Sequence, residues 1–432
     1  MTDFDAPIGA GGSDAIDGLD ALMRGSAERA LAYAVALRHE LHRIPEIGLD
    51  LPLTQAVIRR ELDALGIPHR TGRRLSSVVG VIRGGAPGPT VLLRADMDAL
   101  PIPEPEGLDF ASEREGSMHA CGHDLHMAGL LGAARVLAGH REQLAGTVLL
   151  MFQPGEEGFH GARLMIEEGL LEIGQEPGEG GAEDAAIAAP SASFAMHCNP
   201  WYPVGTLNTR TGPILAANDR FRIVLRGTAG HGSAPHAAND PIPALGELIG
   251  ALQARIARHT PPFNPVVLSI LRVEAGAATG GASIPADAEI SGTMRTFDAG
   301  LREETHRALR RISDGIAAAH DLVAECEIET GYPATVNNRA VRERALPIWE
   351  EWLPGRLRTL EHPLMGSEDF SYVLNRVPGV LGFVGTTRPE KLAVETPPDN
   401  HSDLVRYEDD ALGTFVLAHL AFVRAHIEAV AA

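Results

Sequence analysis

Cysteine is scarce in this chain: three residues, Cys121, Cys198 and Cys326, among 432. So few cannot build a disulfide framework in a chain this long, and the expectation is a protein of the reducing cytoplasm. Basic residues are also in short supply. Against 57 Asp and Glu stand 37 Lys and Arg, a formal charge of −20. A field of that sign repels nucleic acid and anionic membrane surfaces, which argues against nonspecific binding to either. No apolar run reaches the length of a membrane span. The opening segment, MTDFDAPIGAGGSDAIDGLD, lacks the basic and then apolar order of a secretory signal. Residues 1–25 are read as a loose acidic tail.

What is present is an ordinary globular composition, 44% hydrophobic, in a chain long enough for two domains. Two helices, SAERALAYAVALRHELHRIPE and LTQAVIRRELDALG, come first, and apolar strands and helices alternate after Gly66. SSVVGVIRG and PTVLLRADMD read as strands, HDLHMAGLLGAARVLAG as a helix, GTVLLMFQPGEEG as a strand and GARLMIEEGLL as a helix. SFAMHCNP is another buried strand, reached after an acidic low-complexity insert around residues 172–193. This alternation predicts an α/β sheet covered on both faces. From Asp219 the pattern changes to β-α-β-β-α-β, beginning with the half-exposed strand DRFRIVLRG, and predicts a ferredoxin-like layer. Because α/β signals resume beyond Tyr332, that layer reads as an insertion. The expected division is residues 26–213 with 332–432 as a discontinuous catalytic domain, and 214–331 as the inserted one.

Polar residues gather at one place in this pattern. Asp96 and Asp98, Glu156 and Glu157, and His197 all fall near the carboxyl ends of apolar strands, the edge where open α/β sheets bind ligands. The segment HACGHDLH, His119–His126, adds Cys121 and His123, and DNHSDL adds His401. Histidine, thiol and carboxylate in one cavity are the donors of a catalytic metal centre. Neighbouring glutamates at a strand end point apart, so one is free to ligate while the other reaches a water. Two other readings use the same residues. Cys121 could be a nucleophile with His123 as its base, although residues two apart on a tight turn rarely meet in that geometry. Alternatively the site could bind an amide without cleaving it.

RADMDALP, HACGHDLHMAGLLGAA, FQPGEEGFHGA, AMHCNPWYPVGTL, GTAGHGSAPHAANDPI, MGSEDFSYVL and NHSDL follow one another in this order. Together they resemble the motifs of the M20 metallopeptidase family, in its branch of hippurate hydrolases, auxin-conjugate hydrolases and N-acyl-amino-acid deacylases. The resemblance implies an α/β di-metal hydrolase domain with a mixed sheet and an inserted ferredoxin-like α+β lid that dimerises. It implies hydrolysis of N-acyl amino acids, with a dipeptidase or carboxypeptidase of the same family as the alternative. Carried over by motif, Cys121, His123, Glu157, His197 and His401 would ligate two divalent ions per subunit: manganese, zinc or cobalt. Glu156 would be the general base, Asp98 a support for a ligating histidine with Asp96 its companion, and His231 a lid residue that reaches a partner's site. Arg295 would clamp the substrate carboxylate. The expected assembly is a homodimer or homotetramer through the lid. Leu125, Phe159 and His160 depart from the usual residues beside these motifs, which bears on the choice of substrate.

Overall fold

The computed structural model describes residues 13–172, 187–276 and 281–430, with side chains from Gly18 onward. Most of the acidic insert, residues 173–186, therefore lies outside the described residues, as do residues 1–12. The chain divides into two compact units. The first contains the described residues up to Gly212, Asn337–Glu361, and those from Tyr372 onward; the second contains Pro213–Val336 and His362–Ser371, less residues 277–280. Elements are numbered along the whole chain.

The first unit opens with helix α1 (Ser13–Arg43). Residues 13–25, read from sequence as part of a tail, are its first turns. Leu19, Met23, Ala27, Ala30, Ala34, Leu37 and Leu41 recur every three or four residues and are all buried, which is the stripe of a helix with one face in the core. Its start is also tied covalently distant but spatially close to the chain's end: Asp20 pairs with buried Arg424 at 2.6 Å. Helix α2 (Pro52–Ala64) begins on a proline, and Glu46 accepts the N–H of Thr54 there at 2.9 Å. Strands β1 (His69–Thr71), β2 (Val78–Arg83), β3 (Ala86–Asp96), β4 (Leu144–Gln153), β5 (Ala192–Pro203) and β6 (Leu207–Thr209) follow, with α3 (His123–Gly139) and α4 (Gly161–Glu167) between them. The later part of this unit supplies α7 (Arg339–Trp352), β11 (Leu357–Thr359), β12 (Gly379–Thr387), α8 (Leu412–His426) and β13 (Glu428–Ala429).

Among the described residues these strands make one nine-stranded mixed sheet in the order β1-β2-β4-β3-β5-β12-β6-β11, with β13 beside β4. The central run β4-β3-β5-β12 is parallel. Its strands read as nearly unbroken apolar runs because helices cover them; β12 is buried at every position. Helix α3 is buried along almost its whole length, with α1 and α8 packed against it. All the parallel strands therefore end at one edge, and α3 begins at that edge.

The second unit is a four-stranded antiparallel sheet, built from β7 (Ala217–Arg226), β8 (Val266–Ala275), β9 (Asp287–Thr296) and β10 (Val323–Thr330) in the order β8-β9-β7-β10. Helices α5 (Pro241–His259) and α6 (Ala299–Ala319) pack on it, each capped by an aspartate, Asp240 and Asp298. Phe221, Ile223 and Leu225 of β7 enter the core with Leu245, Leu248 and Leu309. The other face of β7 is a ladder of charge pairs: Arg222 to Glu289 at 2.6 Å, and Arg226 to Glu325 at 2.6 Å. The segment His362–Ser371, placed by sequence with the catalytic part, belongs here because Leu364 and Gly366 hydrogen-bond to Ile214 and Ala216.

Asp219 anchors this unit. Its carboxylate takes Arg302 Nε at 2.8 Å, His306 Nε2 at 2.7 Å and the Gly331 N–H at 3.1 Å. Burial opposes its ionisation, yet the bonds from Arg302 and His306 pull the carboxyl down to about 2 from an ordinary 3.8. A depressed carboxylate stabilises the folded state fully above its unfolded value and loses that contribution as pH falls through its folded one. Asp219→Asn should therefore cost roughly 1–3 kcal/mol at pH 7. The difference from wild type in urea unfolding should shrink between about pH 4 and pH 2. A pH-independent difference would show that the carboxylate's charge is not what holds this corner.

Candidate metal centre

Five segments meet at the carboxyl edge of the parallel strands. Strand β3 ends at Asp96, and Asp98 follows two residues on. Cys121 and His123 flank Gly122, which sits at φ 77° as the residue before α3. A side chain there would strike Cys198 Sγ at 2.7 Å, so glycine is what lets this turn press against β5. Glu156 and Glu157 lie in the turn after β4, whose Gly155 also has a positive φ of 72°. His197 lies on β5 two residues past its last pairing with β3; the strand runs on to Pro203 instead of stopping there. His401 holds a left-handed backbone at φ 69°, with its N–H on the Ala120 carbonyl at 2.9 Å.

The side chains converge. Cys121 Sγ is 3.4 Å from His197 Nε2, and His401 Nε2 is 3.0 Å from Glu157 Oε1. Donor atoms of Cys121, His123 and His197 lie within 4.8 Å of one another, as do those of Cys121, Glu157 and His401, and of His123, Glu156 and Glu157. The expectation that the two glutamates diverge does not hold. They sit on a turn, not on a strand, so the strand's alternation does not govern them, and both carboxylates approach His123.

Asp98 organises this turn. Its carboxylate oxygens accept the N–H groups of Glu156 and Glu157, each at 3.0 Å. It also supports a histidine, but by its backbone: His123 Nδ1 donates to the Asp98 carbonyl at 2.8 Å, while the carboxylate stands 3.6 Å off. Asp96 is held between Arg94 Nη1 at 2.6 Å and His126 Nδ1 at 2.5 Å. Burial works against its charge, yet Arg94, His123 and His126 keep its carboxyl well below the usual range. His126 spends its other nitrogen on the Cys198 N–H at 2.8 Å, and burial lowers its pKa to about 4.

The donors fit a cation. With Nδ1 committed to Asp98, His123 Nε2 is a buried nitrogen with no hydrogen-bond partner among the described residues, Asp96 Oδ2 standing 3.5 Å away. His197 is oriented the same way, Nδ1 donating to the Cys198 carbonyl at 2.8 Å and Nε2 facing Cys121. That is the tautomer of a ligating histidine fixed by a neighbouring carbonyl. Burial disfavours a charged His123, but Asp96, Asp98 and Glu157 draw it up to about 10. The surrounding carboxylates thus ask for positive charge at this spot. Burial, then Glu157 and Glu156, push the Cys121 thiol well above its ordinary value. A proton-transfer nucleophile needs the opposite shift, and the imidazole nearest Cys121 is that of His197, not His123.

His231 and Arg295 belong to the second unit. His231 is exposed beside a short strand, with Nδ1 against Ser233 Oγ at 2.7 Å. Arg295 lies on β9 opposite Asn218, and its Nη1 is buried without a hydrogen-bond partner among the described residues. Burial and then neighbouring Arg220 lower its pKa. Sequence reading passed over Arg94, His126 and Tyr407, whose hydroxyl donates to the Ala120 carbonyl at 2.8 Å. His126 had a signal: it lies three residues after His123 on the same helix face. Arg94, an arginine inside an apolar strand, had another.

The profile of Peptidase family M20/M25/M40 matches residues 92–422. Thermostable carboxypeptidase 2 of Saccharolobus solfataricus is 38% identical over 392 residues, 90% of this chain and 93% of that protein. N-acetylcysteine deacetylase of Bacillus subtilis is 36% identical over 363 residues, 83% of this chain and 89% of its own. Among solved structures, a Bacillus subtilis protein described as a dinuclear metal binding peptidase from the M20 family superposes with a TM-score of 0.75. It is 32% identical and covers 92% of this chain and 98% of that one.

The bonds of Asp98 give a test. Asp98→Asn keeps the backbone carbonyl for His123 but offers one acceptor oxygen where two N–H groups wait. Affinity for divalent metal should fall about 10–100-fold, the usual cost of losing a support for metal ligands, read by competition with a chromogenic chelator. An unchanged affinity would mean that the glutamate turn holds its shape without Asp98.

Proposed function

This chain belongs to Peptidase family M20/M25/M40, and we propose that, as a metal-dependent hydrolase of linear amides, it releases the acyl group from N-acyl amino acids. The convergence of Cys121, His123, Glu157, His197 and His401 around Glu156 at the sheet edge carries this reading. Likeness to a named N-acetylcysteine deacetylase supports the substrate class.

Cys121, His123, Glu157, His197 and His401 would hold two divalent ions. Bound there, such ions supply Lewis acidity to a carbonyl and lower the pKa of water toward neutrality. A thiol and imidazoles suit zinc or cobalt, and the carboxylate suits manganese. Glu156, fixed through its N–H to Asp98, takes the proton of the attacking water and returns it to the departing amine nitrogen. The buried, unpartnered guanidinium nitrogen of Arg295 is suited to the substrate carboxylate. His231 donates to the developing oxyanion in the site of a second copy. The second unit serves as the dimerising lid. Among its exposed apolar side chains, Val267, Leu271 and Val273 lie on edge strand β8, while the outer face of β7 is charged. Three free cysteines agree with a reducing cytoplasm, and no described helix is long and apolar enough to cross a membrane.

A second reading, a carboxypeptidase, is favoured by the 38% identity to Thermostable carboxypeptidase 2. Matched N-acetyl, N-benzoyl and dipeptide substrates, assayed with manganese, zinc and cobalt, separate the two.

Chelation should abolish activity, and added divalent metal should restore it. Glu156→Gln should lower kcat by about 10²–10⁴-fold with metal content near normal. Glu157→Gln should lose metal first. If Glu156→Gln instead empties the site while the rate per bound metal stays normal, the two roles are reversed.

His231→Ala should cut kcat by roughly 10²–10³-fold at unchanged metal content, the cost of an oxyanion donor. Mixed with Glu156→Gln subunits, it should regain activity, because one site of each heterodimer then has both residues intact. Mixtures shown to contain heterodimer yet no more active than either parent would rule out action across the interface.

A further inference from the structure

The first unit has a second concave site at the opposite edge of its sheet. A cleft of about 490 Å³ opens where β3, β4 and β5 begin, between Pro87–Pro89 at the start of β3, Ala145 and the first turn of α7. From Pro89 to Asp96 the strand rises roughly 20 Å at ~3.3 Å per residue, so this cleft and the metal centre are separate. Most of its wall is apolar: Pro87, Pro89, Ala145, Ala340 and Val341.

Four polar residues interrupt that wall, of which Ser191 spends its hydroxyl on the Thr90 carbonyl at 3.2 Å. His426, at the end of α8, is 6% exposed; its Nδ1 donates to the Phe422 carbonyl at 2.9 Å. Its Nε2 therefore carries the ring's free lone pair, enclosed and without a hydrogen-bond partner among the described residues. Burial lowers its pKa and keeps the ring neutral, with Arg344 adding to the effect. Arg344 stands exposed at the rim, where Nε caps the last turn of α8 by donating to the Ala425 carbonyl at 2.6 Å; its remaining donors have no partner among the described residues. Glu428 lines the cleft as a second acceptor. The start of α7, capped by Asn338, adds its positive end to the same side as Arg344.

One cation, one carboxylate and an apolar wall describe the complement of a particular molecule. A carboxylate meets Arg344, an ammonium meets Glu428, and a hydrocarbon side chain lies on the two prolines and Val341. A dianion would be repelled by Glu428, and a plain hydrocarbon would leave both charged groups unused. We infer that this cleft binds a free α-amino acid with an apolar side chain, at a site distinct from the metal centre.

The probe is L-phenylalanine, added to the metal-loaded protein and followed through the ring signal of His426 in selectively labelled histidine spectra, assigned with His426→Gln. The His426 signal should shift in saturable fashion. 3-Phenylpropionate, which lacks the ammonium, and phenethylamine, which lacks the carboxylate, should bind about tenfold or more weakly, as expected when a charged hydrogen-bond partner is left unpaired. Arg344→Gln and Glu428→Gln should weaken L-phenylalanine by a similar factor. Ala340→Trp, at an exposed position on the cleft wall, should abolish the shift by filling the space. Normal hydrolytic turnover in these variants shows that they are folded. A His426 signal that L-phenylalanine leaves unmoved, or moves equally in wild type and in all three variants, overturns the proposal.

Discussion

Asp98 makes three bonds that fasten three separate segments at the sheet edge. Its carboxylate takes the N–H groups of Glu156 and Glu157, and its carbonyl takes the ring N–H of His123. The bonds from His123 and Glu156 are buried and that from Glu157 is part-buried, in surroundings where an unmade hydrogen bond costs most and a made one is least diluted by water. The β3 terminus, the turn after β4 and the start of α3 are thereby held to one geometry before any ion or substrate arrives. Gly122 extends the same constraint to β5, because only a residue without a side chain lets the Cys121–His123 turn rest on Cys198.

The price of this arrangement is a concentration of carboxylates, Asp96, Asp98 and Glu156 buried and Glu157 beside them, met among nearby side chains by Arg94 and His126 at Asp96 and by His401 at Glu157. Buried like charges are unstable unless something neutralises them. His123 is drawn toward a positive state, and the Cys121 thiol is discouraged from a negative one. Both effects have one cause, and a divalent cation answers both. A thiol catalyst would need the reverse field at the same residue.

Much of this could be read in the sequence because it is local. Helix α3 spans His123–Gly139 as its apolar pattern requires, and the central strands fall on their apolar runs. The candidate ligands were legible as well, since strand ends in an α/β sheet share an edge. What escaped is non-local. Residues 13–25, with Gly18 and Gly25 among them, look like poor helix; their helix rests on packing of Leu19 and Met23 and on the Asp20–Arg424 pair, four hundred residues apart in sequence. Segment His362–Ser371 is assigned by backbone bonds to Ile214 and Ala216 that no periodicity announces. The partnership of Arg94 with Asp96 becomes visible only once the carboxylate is known to be buried. The Glu156–Glu157 pair was misjudged for a simpler reason, the single step from strand to turn.

His401 differs from the other donors in two ways. Its side chain is 52% exposed, while Cys121, His123 and Glu157 are mostly enclosed, and its backbone adopts a left-handed conformation that costs a non-glycine residue about 1 kcal/mol or more. The enclosed donors form a preassembled cup; His401 is its rim. Of the candidate ligands, His401 is thus the one whose side chain already reaches solvent, while its backbone is held independently by the N–H bond to the Ala120 carbonyl. Changes in the Asn400–Ser402 loop should alter how long an ion stays more than how many donors it finds.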